Sequence, residues 1–197
     1  MSESTLLSPK YRLAVDIVAD LFRDVRRHIT DLPYIVHLVG VSHIVAKVTD
    51  DEDVHIAALL HDVLEDIPSN IYSEADMRRD FGNRITDIVK TVSHDEINYS
   101  KDEARQKYLN QISSGSVEAC IVSAADLLFN TTDIVDTYRE TPEKVIKKFG
   151  GESAKRREWF WNERYQILLK RLGADHAIIR ELKQPLEALK AIHTEIM

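Results

Sequence analysis

The sequence predicts an all-α fold, and three observations carry that prediction. Apolar residues recur at i, i+3, i+4 along most of the 197-residue chain, with no alternating run long enough for a strand. Glycine (6) and proline (5) are scarce, which disfavours a turn-rich β-sandwich. Helix-boundary signals punctuate the apolar stretches at intervals of ordinary helix length. Ala14, Ile17, Val18, Leu21, Phe22 and Val25 mark the first helix, and residues 34–48 and 53–66 read as the next two. Ser73-Glu-Ala-Asp76 is a capping box with Asp in place of Glu, and Phe81-Gly82 marks a helix end. A helix follows from Arg84 to Ser93, and Ser100-Lys-Asp-Glu103 is a second capping box that opens another.

Residues 116–138 carry the longest apolar-periodic stretch, through Val117, Cys120, Ile121, Ala124, Leu127, Leu128, Ile134, Val135 and Tyr138. Thr141-Pro142 supplies an N-cap with proline at the first helical position, and Gly150-Gly151 closes that short helix. Residues 152–171 form a helix ended by Gly173, and the last helix carries Pro185, which is expected to kink or interrupt it. No repeat, low-complexity tract or linker divides the chain. The expectation is one domain over residues 1–197, built from helices of unequal length, unlike a regular four-helix bundle.

Composition narrows the function. Hydrophobic residues make up 44% and charged residues 30%, the mix of a soluble protein with a sizeable core. The net charge of −7 argues against a duplex nucleic acid or an anionic membrane as partner, while leaving room for a locally basic pocket. The single Cys120 cannot form an internal disulfide and suits a reducing, cytoplasmic setting as a small core residue. No run approaches the ~18 apolar residues of a membrane span. MSESTLLSPK lacks the basic and apolar regions of a secretory signal. Oligomeric state is not legible, and a homo-oligomer stays open.

One segment carries chemistry. In Ala57-Ala-Leu-Leu-His61-Asp62-Val-Leu-Glu65-Asp66, four polar groups interrupt a strongly apolar helix, with His61/Glu65 and Asp62/Asp66 each at i, i+4. A buried carboxylate is costly unless paired or bound to a metal. Imidazole and carboxylate together suit Mn²⁺, Fe²⁺ or Zn²⁺. Upstream, Pro33-Tyr-Ile-Val-His37 brings a histidine into an apolar helix. Downstream, Asp126 and Asn130 interrupt the longest one. Two histidines and two aspartates from three helices make a four-ligand site with positions left for water and substrate. A second dipeptide, His94-Asp95, sits in the polar stretch Ser93-His-Asp-Glu96 and reads as surface or as support behind the site.

The order His … His-Asp … Asp resembles the signature of HD-domain metal phosphohydrolases. The words Pro33-Tyr-Ile-Val-His37, Ala57–Asp66, Phe81-Gly82 and Ala125-Asp-Leu-Leu-Phe-Asn130 are similar to the hydrolase domain of RelA/SpoT proteins and the stand-alone small alarmone hydrolases. The similarity covers roughly residues 10–140, with a weaker echo in 152–171. It implies one HD hydrolase domain over 1–197, with a motif-bearing core at 10–140 and a basic, aromatic helical part at 141–197. It implies Mn²⁺ held by His37, His61, Asp62 and Asp126, another divalent metal being compatible, and Glu65 and Asp66 as the catalytic acids. It places Asn130 near a ribose and Tyr34 beside the nucleoside. The implied reaction is removal of pyrophosphate from the 3′ position of guanosine tetra- or pentaphosphate by a metal-activated water.

Cations are needed for the phosphates. Residues 139–171 hold ten Lys/Arg and five Asp/Glu, a local +5. Within it, Lys155 and Trp159 match the basic and aromatic residues of the small alarmone hydrolases. Arg27, Lys101 and Arg105 are further candidates. Four positions depart from the family pattern. His28 and Ile29 stand where it has an Arg-Lys pair, Leu127 replaces the cation after the third aspartate, and Leu38 replaces a proline. All the polar departures touch the substrate and none the metal. Two alternatives to guanosine 3′,5′-bis(diphosphate) therefore stay open. One is an HD phosphohydrolase of an adenosine analogue, NADPH or a nucleoside phosphate. The other is a non-catalytic alarmone-binding module, which the intact Glu65-Asp66 pair disfavours.

Overall fold

The computed structural model describes residues 8–94 and 99–196. Its elements are α1 (Pro9–Leu21), α2 (Ile35–Ala46), α3 (Glu52–Leu60), α4 (Val63–Asp66), α5 (Glu74–Thr91), α6 (Lys101–Ser114), α7 (Val117–Glu140), α8 (Pro142–Phe149), α9 (Glu152–Leu172) and α10 (Ala177–Ile196). Among the described residues the only β pairing is an isolated bridge between Arg26 and Pro33. The all-α expectation holds. Among the described residues no helix is long and apolar enough to cross a membrane.

The caps act as expected of side chains that satisfy the free N–H groups at helix starts. Ser73 and Ser100 each accept from the backbone three residues on, and Asp76 and Glu103 return the bond. Gly82 adopts φ +82 and breaks α5 into two helical pieces, a conformation that suits glycine. Pro142 occupies the first turn of α8, but the Thr141 side chain makes no capping bond.

Two expected boundaries are corrected. Residues 53–66 are not one helix: α3 ends at Leu60, and α4 starts at Val63. Asp62 has ψ −4, a tightened turn that ends α3 and redirects the chain. Pro185 does not interrupt α10, which runs continuously to Ile196.

The core explains where the site lies. Ile56 through Leu60 are all fully buried, so the C-terminal half of α3 is apolar all round, and the helix packs against α1, α2, α5 and α7. The long α7 packs against α2, α9 and α10. Gly40 lets α2 approach α7, since a Cβ there would lie 2.1 Å from Phe129 Cε2. A smaller apolar cluster of Ile134, Val135, Val145, Leu189 and Ile192 ties α8 and α10 to the end of α7. Trp161 packs against both clusters.

Candidate active site

Three elements bring the polar interruptions of the core to one place. His37 comes from the first turn of α2, His61 and Asp62 from the α3–α4 turn, and Asp126 from the middle of α7. His37 Nε2 lies 3.2 Å from His61 Nε2. Asp62 Oδ2 is 3.3 and 3.2 Å from these two nitrogens. Asp126 Oδ1 is 3.2 and 3.6 Å from them. His37, His61 and Asp126 each offer a ligand atom within 4.8 Å of the others. His61 Nδ1 is 2.7 Å from the Ala58 carbonyl, a contact that orients the ring and turns Nε2 into the cluster. Rings of Tyr34 and Phe129 stand edge-on to His37 at 5.6 and 5.0 Å.

The electrostatics of the cluster favour positive charge. Burial lowers the pKa of His61, but Asp62 and Asp126 outweigh it and raise the imidazole to about 9. Burial also opposes ionisation of the two aspartates. His61 and His37 nevertheless hold Asp62 below the usual carboxylate range, and Arg164, with the same histidines, holds Asp126 well below it. Two ring nitrogens and two carboxylates converging at 3.2–3.6 Å form a mixed N/O donor set that fits a divalent cation.

The two acids flank this cluster. Burial and the neighbouring Asp62 push Glu65 up to about 8 and Asp66 up to about 6. Glu65 Oε2 accepts a 2.8 Å hydrogen bond from the His94 backbone N–H. The Tyr34 hydroxyl donates to Asp62 Oδ2 at 2.7 Å, and its ring stacks on Phe22 with centroids 5.0 Å apart. Burial and Asp62 raise the Tyr34 pKa, so it is a donor at neutral pH.

Glu65 lines two cavities. The first, about 470 Å³, is bounded by Arg26, Arg27, His28, Tyr34, Asp66 and Asn130 among others. The second, about 630 Å³, is bounded by His94, Lys101, Arg105, Lys148, Arg156 and Phe160 among others. Phe149, Arg157 and Trp161 line both. Arg27 enters the first through a turn around Asp31, whose φ of +59 is tolerated by aspartate. Arg27 donates at 2.8 Å to both Asn130 Oδ1 and Asp133 Oδ2, and Asn130 Nδ2 donates to Asp126 Oδ1 at 2.6 Å.

Of the substrate-contact candidates, Arg27, Tyr34 and Asn130 line the first cavity and Lys101 and Arg105 the second. Lys155 and Trp159 line neither. They line a separate groove of about 610 Å³ between α9 and α10, with Lys183, Leu186 and His193. Helical register separates them: Arg157 and Phe160 line the second cavity and Arg164 reaches Asp126, whereas residues 155, 159, 162 and 166 line the groove and Trp161 borders both. Arg157 and Trp161, from the same helix, line both cavities beside Glu65. Burial, and secondarily Arg105, lower the Arg157 pKa to about 10. Its Cζ lies 3.5 Å from the Phe149 ring centroid, and its buried Nη1 has no hydrogen-bond partner among the described residues. His94 supports the site from behind, whereas Asp95 and Glu96 lie outside the described residues. Sequence reasoning also passed over Arg164, 4% exposed and 2.9 Å from Asp126 Oδ2. Its signal was a charge in the apolar i, i+4 series Phe160, Arg164, Leu168.

Residues 14–120 match the family model described as HD domain. The chain belongs to the HD domain family. A Drosophila melanogaster guanosine-3′,5′-bis(diphosphate) 3′-pyrophosphohydrolase, MESH1, is 31% identical over 166 residues, covering 77% of this chain and 90% of the fly protein. A Haemophilus influenzae guanosine-3′,5′-bis(diphosphate) 3′-pyrophosphohydrolase is 28% identical over 168 residues. This HD domain chain spans only 22% of that bacterial protein's length. A solved structure described as a metazoan ortholog of SpoT that hydrolyzes ppGpp superposes with a TM-score of 0.78. The identity is 25%, with 93% of this chain and 97% of that one covered.

Proposed function

We propose that this HD domain protein is a cytoplasmic, Mn²⁺-dependent 3′-pyrophosphohydrolase of guanosine 3′,5′-bis(diphosphate), with one hydrolase domain over residues 1–197. The observation that carries the reading is that Glu65 stands beside the His/Asp cluster and lines two cavities rich in basic side chains. A substrate with a phosphate group at each end needs such a pair. Two relatives bear that activity in their names.

His37, His61, Asp62 and Asp126 would hold the cation. When bound, it supplies Lewis acidity to water and charge neutralisation to phosphoryl oxygens. Glu65 orients the attacking water and takes its proton, and Asp66 supports it. The water oxygen bonds to the phosphorus attached to O3′, the P–O3′ bond breaks, and O3′ gains a proton. Pyrophosphate leaves with the oxygen from water, and guanosine 5′-diphosphate keeps a 3′-hydroxyl. Arg157, Lys101 and Arg105 face the second cavity and would hold one diphosphate. Tyr34, Asn130 and Arg27 would hold the nucleoside from the first.

A second reading, cleavage of a different phosphorylated nucleotide, is favoured by the wall of the first cavity. His28 and Ile29 stand there, where the family resemblance implies Arg and Lys. Leu127 is fully buried and contributes no cation. Product analysis with Mn²⁺ and three substrates in parallel separates the readings. Pyrophosphate and guanosine 5′-diphosphate from the guanosine substrate are expected. Preferred turnover of the adenosine analogue would move the specificity. Orthophosphate from NADPH alone would identify a phosphatase. No turnover of any would overturn the enzymatic reading.

A further inference from the structure

We infer that Arg164, on α9, is a positioning residue that fixes which oxygen of Asp126 faces the metal position. The inference rests on the metal-site reading above.

A charged side chain 4% exposed is costly unless its hydrogen-bonding capacity is met. Arg164 meets it on a single small patch of α7. Its Nη2 donates to Asp126 Oδ2 at 2.9 Å and also to the Ser123 carbonyl. Its Nε donates to Ser123 Oγ at 2.9 Å. Ser123 Oγ in turn lies 2.9 Å from the Tyr108 hydroxyl, and the guanidinium carbon sits 5.2 Å from the Tyr108 ring centroid. Asp126 is thereby divided between two tasks. Oδ2 is taken by Arg164, while Oδ1 accepts from Asn130 at 2.6 Å and faces His37 and His61. With one oxygen occupied, the carboxylate offers a single oxygen to the cluster and cannot swing.

The same guanidinium reaches the other half of the site. Tyr108 stacks on His94 with centroids 4.1 Å apart and rings 5° from parallel. The His94 backbone N–H is the group that holds Glu65. Arg164 therefore braces a cluster ligand directly and the proposed base through Tyr108 and His94. A planar fork is needed to serve Asp126 and Ser123 together, which lysine reproduces only in charge.

Metal affinity tests this independently of turnover. Mn²⁺ is titrated into wild type, Arg164→Gln, Arg164→Lys and Ser123→Ala, with free Mn²⁺ followed by electron paramagnetic resonance and folding checked by circular dichroism. Loss of a hydrogen-bond partner behind a metal ligand typically weakens metal binding by about 10- to 100-fold. A loss of that size is expected for Arg164→Gln, with partial recovery in Arg164→Lys and a smaller loss in Ser123→Ala. Folded Arg164 variants with wild-type Mn²⁺ affinity would overturn the inference. If Arg164→Gln does not fold, unchanged affinity in both Arg164→Lys and Ser123→Ala overturns it. Wild type that takes up no Mn²⁺ would overturn the metal-site reading and this inference together.

Discussion

At the scale of single residues, four polar side chains around the site are each tied to a partner that offsets the cost of their burial. His61 is oriented by Ala58, Asp62 by Tyr34, Asp126 by Arg164 and Asn130, and Glu65 by the His94 amide. Asp62→Ala removes a carboxylate that touches both imidazoles, so metal uptake and turnover are expected to fall together. Metal analysis alongside an activity assay checks this, and full activity in the variant would contradict it. Glu65→Gln keeps the shape and removes the base. It is expected to retain metal while kcat drops by about 10²–10⁴-fold. His94 gives a stability prediction. Burial, then Arg164, lowers its pKa to about 4, against about 6.5 unfolded. Between those values the unfolded chain binds the proton and the native chain does not. This contribution to stability is full above pH 6.5 and falls by about 1.4 kcal/mol per pH unit down to about 4. Urea titrations across that range should show a flatter pH dependence for His94→Phe, which keeps an aromatic ring on Tyr108. The ligand candidates were legible because histidine and aspartate in apolar helices demand a reason. Arg157 and Trp161 were not separable from Lys155 and Trp159, because four neighbouring residues of one helix differ only in rotation about its axis.

At the scale of elements, the close crossing of α2 and α7 sets the site's width. Gly40 sits against the Phe129 ring, and that ring stands edge-on to His37. Gly40→Ala must push Phe129 toward the cluster or part the helices. Overpacking of this kind costs about 1–3 kcal/mol. Denaturant unfolding is expected to show that loss together with lower activity; an unchanged midpoint would mean the helices part freely. The turn between α3 and α4 is the element that sequence periodicity could not locate. His61-Asp62 lies in an unbroken i, i+4 pattern, and only the tightened backbone at Asp62 ends α3. The capping boxes at Ser73 and Ser100 were legible because their chemistry is local. The path of α10 through Pro185 was not, because it depends on packing against α7 and α9.

At the scale of the whole molecule, an acidic chain concentrates its cations where phosphates would sit. The net charge is −7, yet the segment from Arg139 to Arg171 carries +5. Part of it, Lys148, Arg156 and Arg157, turns toward the cavity that Glu65 lines. Arg157→Ala is expected to raise KM on the order of tenfold to a hundredfold, the worth of a charge-assisted hydrogen bond. Lys155→Ala, in the separate groove, should leave KM and kcat at wild-type values. A reversal of that pattern in steady-state kinetics would return the phosphate contact to Lys155. In the proposed reaction, water held at the His/Asp cluster attacks the phosphorus on O3′. The most direct test is hydrolysis of guanosine 3′,5′-bis(diphosphate) in H₂¹⁸O by the Mn²⁺-loaded protein, with mass analysis of both products. The account predicts ¹⁸O in pyrophosphate and none in guanosine 5′-diphosphate; label in the nucleotide, or no turnover, would contradict it.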